Sequence, residues 1–495
     1  MRETEQPVPL LSKSKYLAGL QCAKLLWYHY NAKEKIPAPD EATEAIFEQG
    51  HFVGELAKSL FPGGMEVAKG TVDFARVLPE SLAAVKLRKP LFEAAFRYKN
   101  AFARADILNP VARDEWDIIE VKSSTSVKDI NLHDLALQRY TYEGAGLKIR
   151  HCRLLYIDNE YVKRGPIDPE KLFAREDVSR RVAELLPGVE GNLTKMVEVI
   201  LLKKHPDIKI GPHCSDPYDC PLHGLCWDFL PEDNVFTLYR LGQKGFDLLK
   251  MGIETIVEIP DDYRLSDAQG IQMESLKSGR PFIDKSALRR FLTSLSYPLC
   301  FLDFETFATA IPLFDDVHPY QQIPFQYSLH IIPSEGARPE HHAYLADGND
   351  DPRIEILRQL ETLLGDRGSI MAYHAGFEKG VLQKSTEAYG RYVPWYEKIE
   401  PRVVDLLQPF RSFHYYHPEQ KGSASIKSVL PALTGKGYED LEIADGGAAA
   451  REYLRVTFGT VSGSEKQEVR RQLLDYCGLD TLGMTSIVAA LRKLT

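Results

Sequence analysis

Three cysteines, Cys214, Cys220 and Cys226, recur at intervals of six residues in the segment HCSDPYDCPLHGLCW. The prolines, glycine and aspartates of this segment argue against a regular helix or strand, so we expect a loop. Three thiols crowded on a loop indicate a metal site in a reducing compartment, and such a site needs a fourth ligand. Cys22 supplies that ligand if the fold brings the two ends of the first 230 residues together.

The length and composition describe an ordinary globular protein. The 495 residues are enough for about three units at roughly 150 residues each. Hydrophobic residues make up 44% and charged residues 26%, which disfavours the collagenous, disordered and membrane classes. We find no apolar run near the roughly 18 residues of a spanning helix, and the first residues lack a secretory signal. We therefore expect a cytoplasmic protein that does not enter a membrane.

The charge balance argues against bulk attraction to nucleic acid. Lysine and arginine total 61 against 70 aspartate and glutamate, so the net charge is −9. Nonspecific binding to phosphate or to anionic lipid needs the opposite sign. Phosphate contacts would have to come from local patches, such as the lysines at positions 203, 204 and 209.

The pattern along the chain predicts an α/β protein in three parts. Residues 1–232 mix strands and helices, and LFEAAFRYKNAFARADIL is expected to form two strands. Residues 233–296 contain amphipathic stretches broken by proline and glycine, which indicates a helical connector. Residues 297–495 begin again with strands and end in helices.

A first group of charged residues lies on the predicted strand WDIIEVKSS. Side chains alternate across a strand, so Glu120 and Lys122 share one face. Asp106, at the end of the preceding strand pair, can meet them, and two carboxylates with a lysine are the minimum for Mg²⁺-assisted hydrolysis of a phosphodiester. An isolated E-x-K is more often a salt bridge. The helix that follows carries Gln138 and Tyr142, one turn apart on one face.

The order D…ExK…QxxxY resembles the PD-(D/E)XK nucleases of the RecB family, over roughly residues 12–227. The resemblance implies a restriction-endonuclease-like fold, metal ligation by Asp106 and Glu120, and catalysis by Lys122. It gives Gln138 and Tyr142 substrate or scaffold roles. It also implies a metal-binding histidine on the first helix; the histidine available is His51, directly after Gly50, and a helix-surface role suits it equally well.

One early and three late cysteines around this core resemble the iron-sulfur members of the same family. The implied cofactor is a [4Fe-4S] cluster held by Cys22, Cys214, Cys220 and Cys226. Zinc is the alternative, because four cysteines, or three with a neighbouring histidine, satisfy tetrahedral coordination. The remaining cysteines, at positions 152, 300 and 477, lie in apolar contexts and are expected to be small buried hydrophobic residues.

A second acidic group lies in the last part of the chain. LCFLDFETF places Asp303 and Glu305 on one face of a strand, where adjacent like charges are costly unless a cation neutralises them. Tyr476 and Asp480 lie one turn apart on the last predicted helix, and Glu378 begins another helix. Two further residues, Asp405 and Lys427, are weaker candidates for an additional acid and a phosphate contact.

This pattern resembles the DnaQ-like 3′ to 5′ exonucleases of the tyrosine subclass, which have a ribonuclease H-like fold. The resemblance implies that Asp303, Glu305, Glu378 and Asp480 hold two metal ions and that Tyr476 orients the attacking water. Glu378 stands where the family usually has aspartate.

Together the two halves resemble a bacterial family that joins an iron-sulfur RecB-like nuclease domain to a DnaQ-like exonuclease domain. The resemblance implies a nuclease that uses Mg²⁺ or Mn²⁺ on single-stranded or frayed ends, on DNA in preference to RNA. The alternative is a nucleic-acid-binding or scaffolding module in which one or both sites are inactive. A third reading has only the second site hydrolyse, with the first half holding the nucleic-acid end.

Overall fold

A computed structural model describes residues 9–67, 73–438 and 441–495. The chain is a mixed α/β protein, as the sequence predicts, and it divides into two compact units. The first unit consists of Met1–Phe229 and Thr309–Tyr320, and the second of Leu230–Ala308 and Gln321–Thr495. Residues 233–296, predicted as a connector, fall in the second unit.

The first unit alternates short strands with helices of very different lengths. Its strands are β1 Leu11–Ser12, β2 Met65–Glu66, β3 Leu91–Phe92, β4 Ala95–Tyr98, β5 Ala101–Arg104, β6 Ile107–Pro110, β7 Glu115–Lys122, β8 Lys148–Ile157 and β9 Phe173–Asp177. Its helices are α1 Lys13–Gln21, α2 Ala23–Asn31, α3 Glu41–Lys58, α4 Phe74–Ala84, α5 Asp129–Gly144, α6 Pro169–Leu172, α7 Ser179–Ile200 and α8 His223–Trp227.

The strands of the first unit form two sheets among the described residues. The larger has the order β2-β3-β6-β7-β8-β9, with β7 and β8 parallel and β7 antiparallel to β6. The smaller has the order β1-β5-β4. The two predicted strands of LFEAAFRYKNAFARADIL are each interrupted, because β3 pairs with β6 in the larger sheet while β4 pairs with β5 in the smaller. Asp106 lies at the interruption between β5 and β6.

Strand β7 is buried on both faces, and two acidic residues in mid-strand, Asp117 and Glu120, are buried with it. Ile118 packs in a core that includes residues of α5 and α7, and Ile119 packs in a second core with residues of α3. Alternation then directs Glu120 to the side of Ile118. The strand therefore presents Glu120 to α5.

The second unit contains a run of short helices followed by a sheet and more helices. Its strands are β10 Phe282–Ile283, β11 Leu299–Phe307, β12 Ile323–Ile332, β13 Glu340–Leu345, β14 Ser369–Ala372, β15 Val403–Asp405 and β16 Tyr415–Tyr416. Its helices are α9 Lys244–Lys250, α10 Asp267–Ser278, α11 Lys285–Thr293, α12 Pro352–Leu363, α13 Ala375–Ala388, α14 Val393–Ile399, α15 Gln408–Arg411, α16 Ile426–Thr434, α17 Gly446–Phe458 and α18 Gly463–Leu494.

The main sheet of the second unit has the order β13-β12-β11-β14-β15 among the described residues. Strand β11 is central; it runs antiparallel to β12 and parallel to β14. Asp303 pairs with Ser328 and Glu305 with Gln326, and the register shifts between Glu305 and Thr306. Such irregularities re-aim side chains and are common next to functional sites.

Both faces of this sheet are covered. Phe301 and Met371 pack with residues of α16 and α18 on one side, and Leu302 and Ile370 pack with residues of α12 and α13 on the other. Asp303 lies on the same face of β11 as Phe301, so its side chain is directed toward α18. Within the described residues, no helix is long and apolar enough to cross a membrane.

Candidate functional sites

Glu120 is the centre of a charged cluster in the first unit. Its side chain is buried, with 1% relative exposure. Lys13 and Lys122 donate to its Oε1 over 2.6 and 2.7 Å, and Gln138 donates to Oε2 over 2.7 Å. Of the predicted residues, the structure thus brings together Glu120, Lys122 and Gln138.

Asp106 joins this cluster from the break between β5 and β6. Its Oδ2 accepts a hydrogen bond of 2.8 Å from the backbone N–H of Val121, the residue between Glu120 and Lys122. Burial, together with the charge of Glu120, raises the pKa of Asp106 to about 7. The two predicted metal ligands therefore meet at the end of one strand.

Helix α5 contributes a third carboxylate that the sequence analysis missed. Asp134 is buried, accepts a 2.8 Å hydrogen bond from Gln138, and lies 3.1 Å from the ammonium of Lys122. It precedes Gln138 by four residues, and Tyr142 follows by four more, so the three share one helix face. The four-residue spacing from Asp134 to Gln138 is the sequence signal that predicts this third carboxylate.

Tyr142 supports the site from behind. Its side chain is fully buried; the hydroxyl donates to the carbonyl oxygen of Ala94 and accepts 2.8 Å from the N–H of Ala105. Both partners lie at the interruptions of the strand pair, and Ala105 directly precedes Asp106. Of the two roles that the resemblance implies, this contact fits the scaffold role.

Lysines balance much of the acid charge in the first unit. Lys13, on α1, is the second residue that the sequence analysis missed, and no local pattern marks it; its ammonium also lies 3.5 Å from Asp134. Burial alone would raise the pKa of Glu120, but Lys122 and Lys13 hold that pKa well below its usual range. Glu120 is therefore an anion held between two cations.

His51 does not join this cluster. It is exposed on α3, and its ring lies 6.5 Å from that of Phe52. The buried residues of the same helix, Val53 and Ala57, pack with Ile119, on the opposite side of β7 from Glu120.

The four predicted cysteines line one cavity in the first unit. Its lining includes Cys22, Cys214, Cys220 and Cys226 together with His213, His223 and Trp227. Cys22 lies at the junction of α1 and α2. Burial raises the pKa of the Cys220 thiol to about 11, and the three other cysteines add to the shift. The fold thus brings residue 22 to the late loop.

A side-chain bridge fixes this arrangement. Gln21 donates to the carbonyl oxygen of His213 over 2.9 Å and to that of Tyr218 over 2.6 Å. The residue next to Cys22 is therefore bonded to backbone on the loop that carries Cys214 and Cys220. No local sequence pattern predicts this contact, because a glutamine at the end of a helix is common.

The spacing of the sulfur atoms bears on which metal would fit. Among the described residues, Asp303, Glu305 and Cys477 are the one set of three acidic, histidine or cysteine side chains with ligand atoms all within 4.8 Å. No three of the four cavity cysteines are that close. Thiolates on one zinc ion lie about 3.8 Å apart, given Zn–S bonds of about 2.3 Å. The four sulfur atoms are therefore not drawn together to the spacing of a zinc tetrahedron.

The second unit gathers the second predicted set of acids. Glu305, Glu378 and Asp480 are buried, with 6%, 4% and 7% exposure. Burial raises the pKa of Glu305 and of Glu378 to about 8, with Asp480 and Asp405 respectively adding to the effect. Burial, followed by the charges of Asp480, Glu305 and Glu378, raises the pKa of Asp303 well above its usual value. The four acids therefore share one site.

Two tyrosines and a lysine border these acids. Tyr438 donates a hydrogen bond to Oδ1 of Asp480, and its ring centroid lies 6.5 Å from that of Tyr476. Lys427 places its ammonium 5.4 Å from the centroid of the Tyr476 ring. Burial raises the pKa of Asp480 to about 6, although Tyr438 and Lys427 act in the opposite direction. Tyr438 was not predicted from the sequence.

Two further features distinguish this acidic site. Glu378 Oε2 is buried, and no described residue hydrogen-bonds to it. Cys477 is fully buried, as the sequence predicted for a small apolar residue, but its Sγ lies 3.7 Å from Oδ2 of Asp303. The interpretation of Cys477 as core alone is therefore incomplete.

Comparison with known proteins adds a family for part of the second unit. Residues 300–425 match DUF2779, a domain of unknown function. The matched range contains Asp303, Glu305 and Glu378. The structure of SSO0001, an archaeal protein, aligns with 38% of this chain and 78% of its own length, at 12% identity and a TM-score of 0.20. No curated protein matches the sequence. None of these matches names a nuclease family.

Proposed function

We propose that the protein is a metal-dependent nuclease that hydrolyses phosphodiester bonds at the acidic site of the second unit. The observation that carries this proposal is a group of four carboxylates: Glu305, Glu378 and Asp480 are buried, and the half-buried Asp303 lies with them. Buried like charges are costly, and Lys427 offsets only part of theirs. Divalent cations would offset the rest.

The donor set suits such ions. Carboxylate oxygens are the ligands that Mg²⁺ and Mn²⁺ take in proteins, and the orphaned Oε2 of Glu378 supplies an oxygen without a competing partner. When bound, these metals activate water and stabilise the charge that develops on a phosphoryl group. Tyr476 would orient the attacking water, and Tyr438 would hold Asp480 in place. Lys427 would contact a phosphate oxygen.

The proposal extends to fold and substrate. A central strand with two antiparallel strands on one side and two parallel strands on the other supports a ribonuclease H-like fold, and the DxE strand with YxxxD on the last helix supports the DnaQ-like resemblance. We infer exonucleolytic action on single-stranded or frayed ends, on DNA in preference to RNA.

The test is degradation of end-labelled single-stranded and duplex DNA and RNA, with Mg²⁺, with Mn²⁺ and with EDTA. We expect cleavage by the wild type with metal and loss of at least about a hundredfold in Asp303→Asn, since the metal site supplies most of the rate. Asp366→Asn removes an exposed acid of the same unit and should cleave normally. Wild-type protein that cleaves none of these substrates would refute the proposal in favour of a binding module.

A second role is favoured for the first unit by one contact. The ammonium of Lys13 lies 2.6 Å from Glu120 Oε1, beside the oxygens that a metal would use. We propose a PD-(D/E)XK-like fold here that holds nucleic-acid ends, and that cleaves only if substrate draws Lys13 away. Glu120→Gln separates the readings: unchanged cleavage with weaker binding of ends identifies a platform, and loss of a distinct product identifies a second nuclease site.

For the cysteine cavity we propose a [4Fe-4S] cluster held by Cys22, Cys214, Cys220 and Cys226. The four cysteines that line one cavity support a metal site here, and the resemblance to the iron-sulfur nucleases favours the cluster; zinc is the alternative. Bound there, the cluster would serve as a structural clip between α1 and the late loop. Anaerobically purified protein should be brown with about four irons per chain; colourless protein with stoichiometric zinc would overturn the assignment.

A further inference from the structure

Cys477 lies inside the acidic site of the second unit, on α18 between Tyr476 and Asp480. Its ligand atom and those of Asp303 and Glu305 all fall within 4.8 Å of one another. The resemblance to DnaQ-like enzymes gives this position no role, and the carboxylates alone account for the nuclease proposal. A thiol at the centre of a hard-oxygen site needs its own explanation.

The distance from the thiol to its acidic neighbour is informative. Sγ of Cys477 lies 3.7 Å from Oδ2 of Asp303. A sulfur and an oxygen bound to one tetrahedral zinc-type ion lie about 3.6 Å apart, given bonds of about 2.3 and 2.1 Å. The two atoms are therefore already spaced as ligands of a single ion.

A second observation is a buried carboxylate oxygen of Glu378 without a hydrogen-bond partner among the described residues. The side chain of Glu378 has only 4% relative exposure, and no described residue hydrogen-bonds to its Oε2. The charge of Glu378 contributes to the raised pKa of Asp303, so the two carboxylates lie in the same region. Buried carboxylate oxygens are rarely left without a partner, and a bound cation is one way to supply it.

We propose that Cys477 is a metal ligand, so that one position of this site binds a zinc-class divalent ion through mixed sulfur and oxygen donors. The inference rests on the proposed metal site and goes beyond it by naming the class of ion. Mg²⁺ binds hard oxygen donors, whereas a thiolate selects borderline and soft ions such as Zn²⁺, Co²⁺ and Cd²⁺. On binding, the S–H bond breaks, a metal–sulfur bond forms, and the proton passes to solvent.

The competing explanation is a weak hydrogen bond from the thiol to Asp303. The two differ in what serine does at this position. Serine keeps a donor toward the carboxylate but is a poor ligand for soft ions. Cys477→Ser therefore preserves the hydrogen bond and removes the proposed metal–sulfur bond.

The test is titration of the full-length protein with Cd²⁺, followed by calorimetry and by the ultraviolet absorption of thiolate bound to cadmium. The variants are Cys477→Ser, Asp303→Asn and the matched control Cys300→Ser, which alters a buried cysteine on β11 that packs in an apolar core. Cadmium bound by the cysteine cavity contributes equally to all of them and cancels in difference spectra. Competition with Mg²⁺ is measured in parallel.

We expect Cys477→Ser to lose one increment of the cadmium–thiolate band and to bind Cd²⁺ at this site about tenfold or more weakly, with Mg²⁺ affinity changed less than about threefold. Cys300→Ser should match the wild type. Asp303→Asn should lose the same increment, which provides a second route if Cys477→Ser does not fold.

The outcomes separate this inference from the proposed function. A full thiolate band in Cys477→Ser, with metal binding lost in Asp303→Asn, overturns the role of Cys477 and leaves the nuclease site intact. Metal binding that is unchanged in Asp303→Asn overturns the metal site itself, and the nuclease proposal with it.

Discussion

Replacement of Tyr142 by phenylalanine should destabilise the first unit by about 2 kcal/mol. The change removes two hydrogen bonds, to the carbonyl oxygen of Ala94 and from the N–H of Ala105, at about 1 kcal/mol each. Groups left unpaired would raise the cost further, but the N–H of Ala105 also donates to the same Ala94 oxygen over 3.3 Å. The two backbone groups therefore keep one another as partners, and the additional penalty is small.

The measurement is urea denaturation of the full chain followed by tryptophan fluorescence, fitted with separate transitions for the two units. Tyr140→Phe, two residues earlier on α5, removes a hydroxyl that makes neither bond and serves as the control. Asp106 keeps its own hydrogen bond from Val121, so metal affinity at this site should fall less than about tenfold. A loss of stability below about 0.5 kcal/mol would refute the scaffold role of Tyr142.

Three further changes test the first unit. Glu120→Gln should lower the free energy of unfolding by about 2 kcal/mol. This is less than the roughly 3–5 kcal/mol lost when a fully buried ion pair is broken, because Asp134 still contacts both lysines. Glu115→Gln on the same strand is the control, and equal stability of the two variants would contradict the proposed charge balance. Burial, and then Lys15 and Lys33, lower the pKa of His29 from 6.5 to about 4, so its folded form is neutral and stability should fall as pH drops through that interval. His29→Gln should flatten the melting temperature over that range, and an unchanged slope would count against it. Cys22→Ser should lose the cofactor and lower the melting temperature of the first unit, whereas Cys152→Ser should keep the cofactor; a coloured Cys22→Ser protein would contradict the ligand set.

Local periodicity was enough to predict much of the two acidic sites. Alternation along β7 and β11 assigns Glu120 and Asp303 to defined faces, and the four-residue spacing on α18 puts Tyr476 and Asp480 together. The strands and helices that carry them form where the pattern indicates. These predictions succeeded because each depends on neighbours within one element.

What the sequence could not show depends on residues distant in the chain. Lys13 contacts Glu120 although more than a hundred positions separate them, and no sequence pattern around either residue predicts the other as its partner. Tyr438 reaches Asp480 in the same way, from a segment without regular periodicity. The sequence context predicts a buried Cys477, and Cys477 is buried. Its contact with Asp303 depends on the fold and could not be predicted from that context.

The bridge from Gln21 to the loop around His213 and Tyr218 has a consequence for how the protein is made. Ribosomes add about 5–20 residues per second, so about two hundred residues separate the emergence of α1 from that of its partner by roughly 10–40 s. Throughout that interval Cys214, Cys220 and Cys226 have not yet been synthesised, so Cys22 is the one thiol of the four that is present. A chain that stops short of Cys226 lacks the complete set of four thiols, so only chains that extend past Cys226 could hold the proposed cofactor.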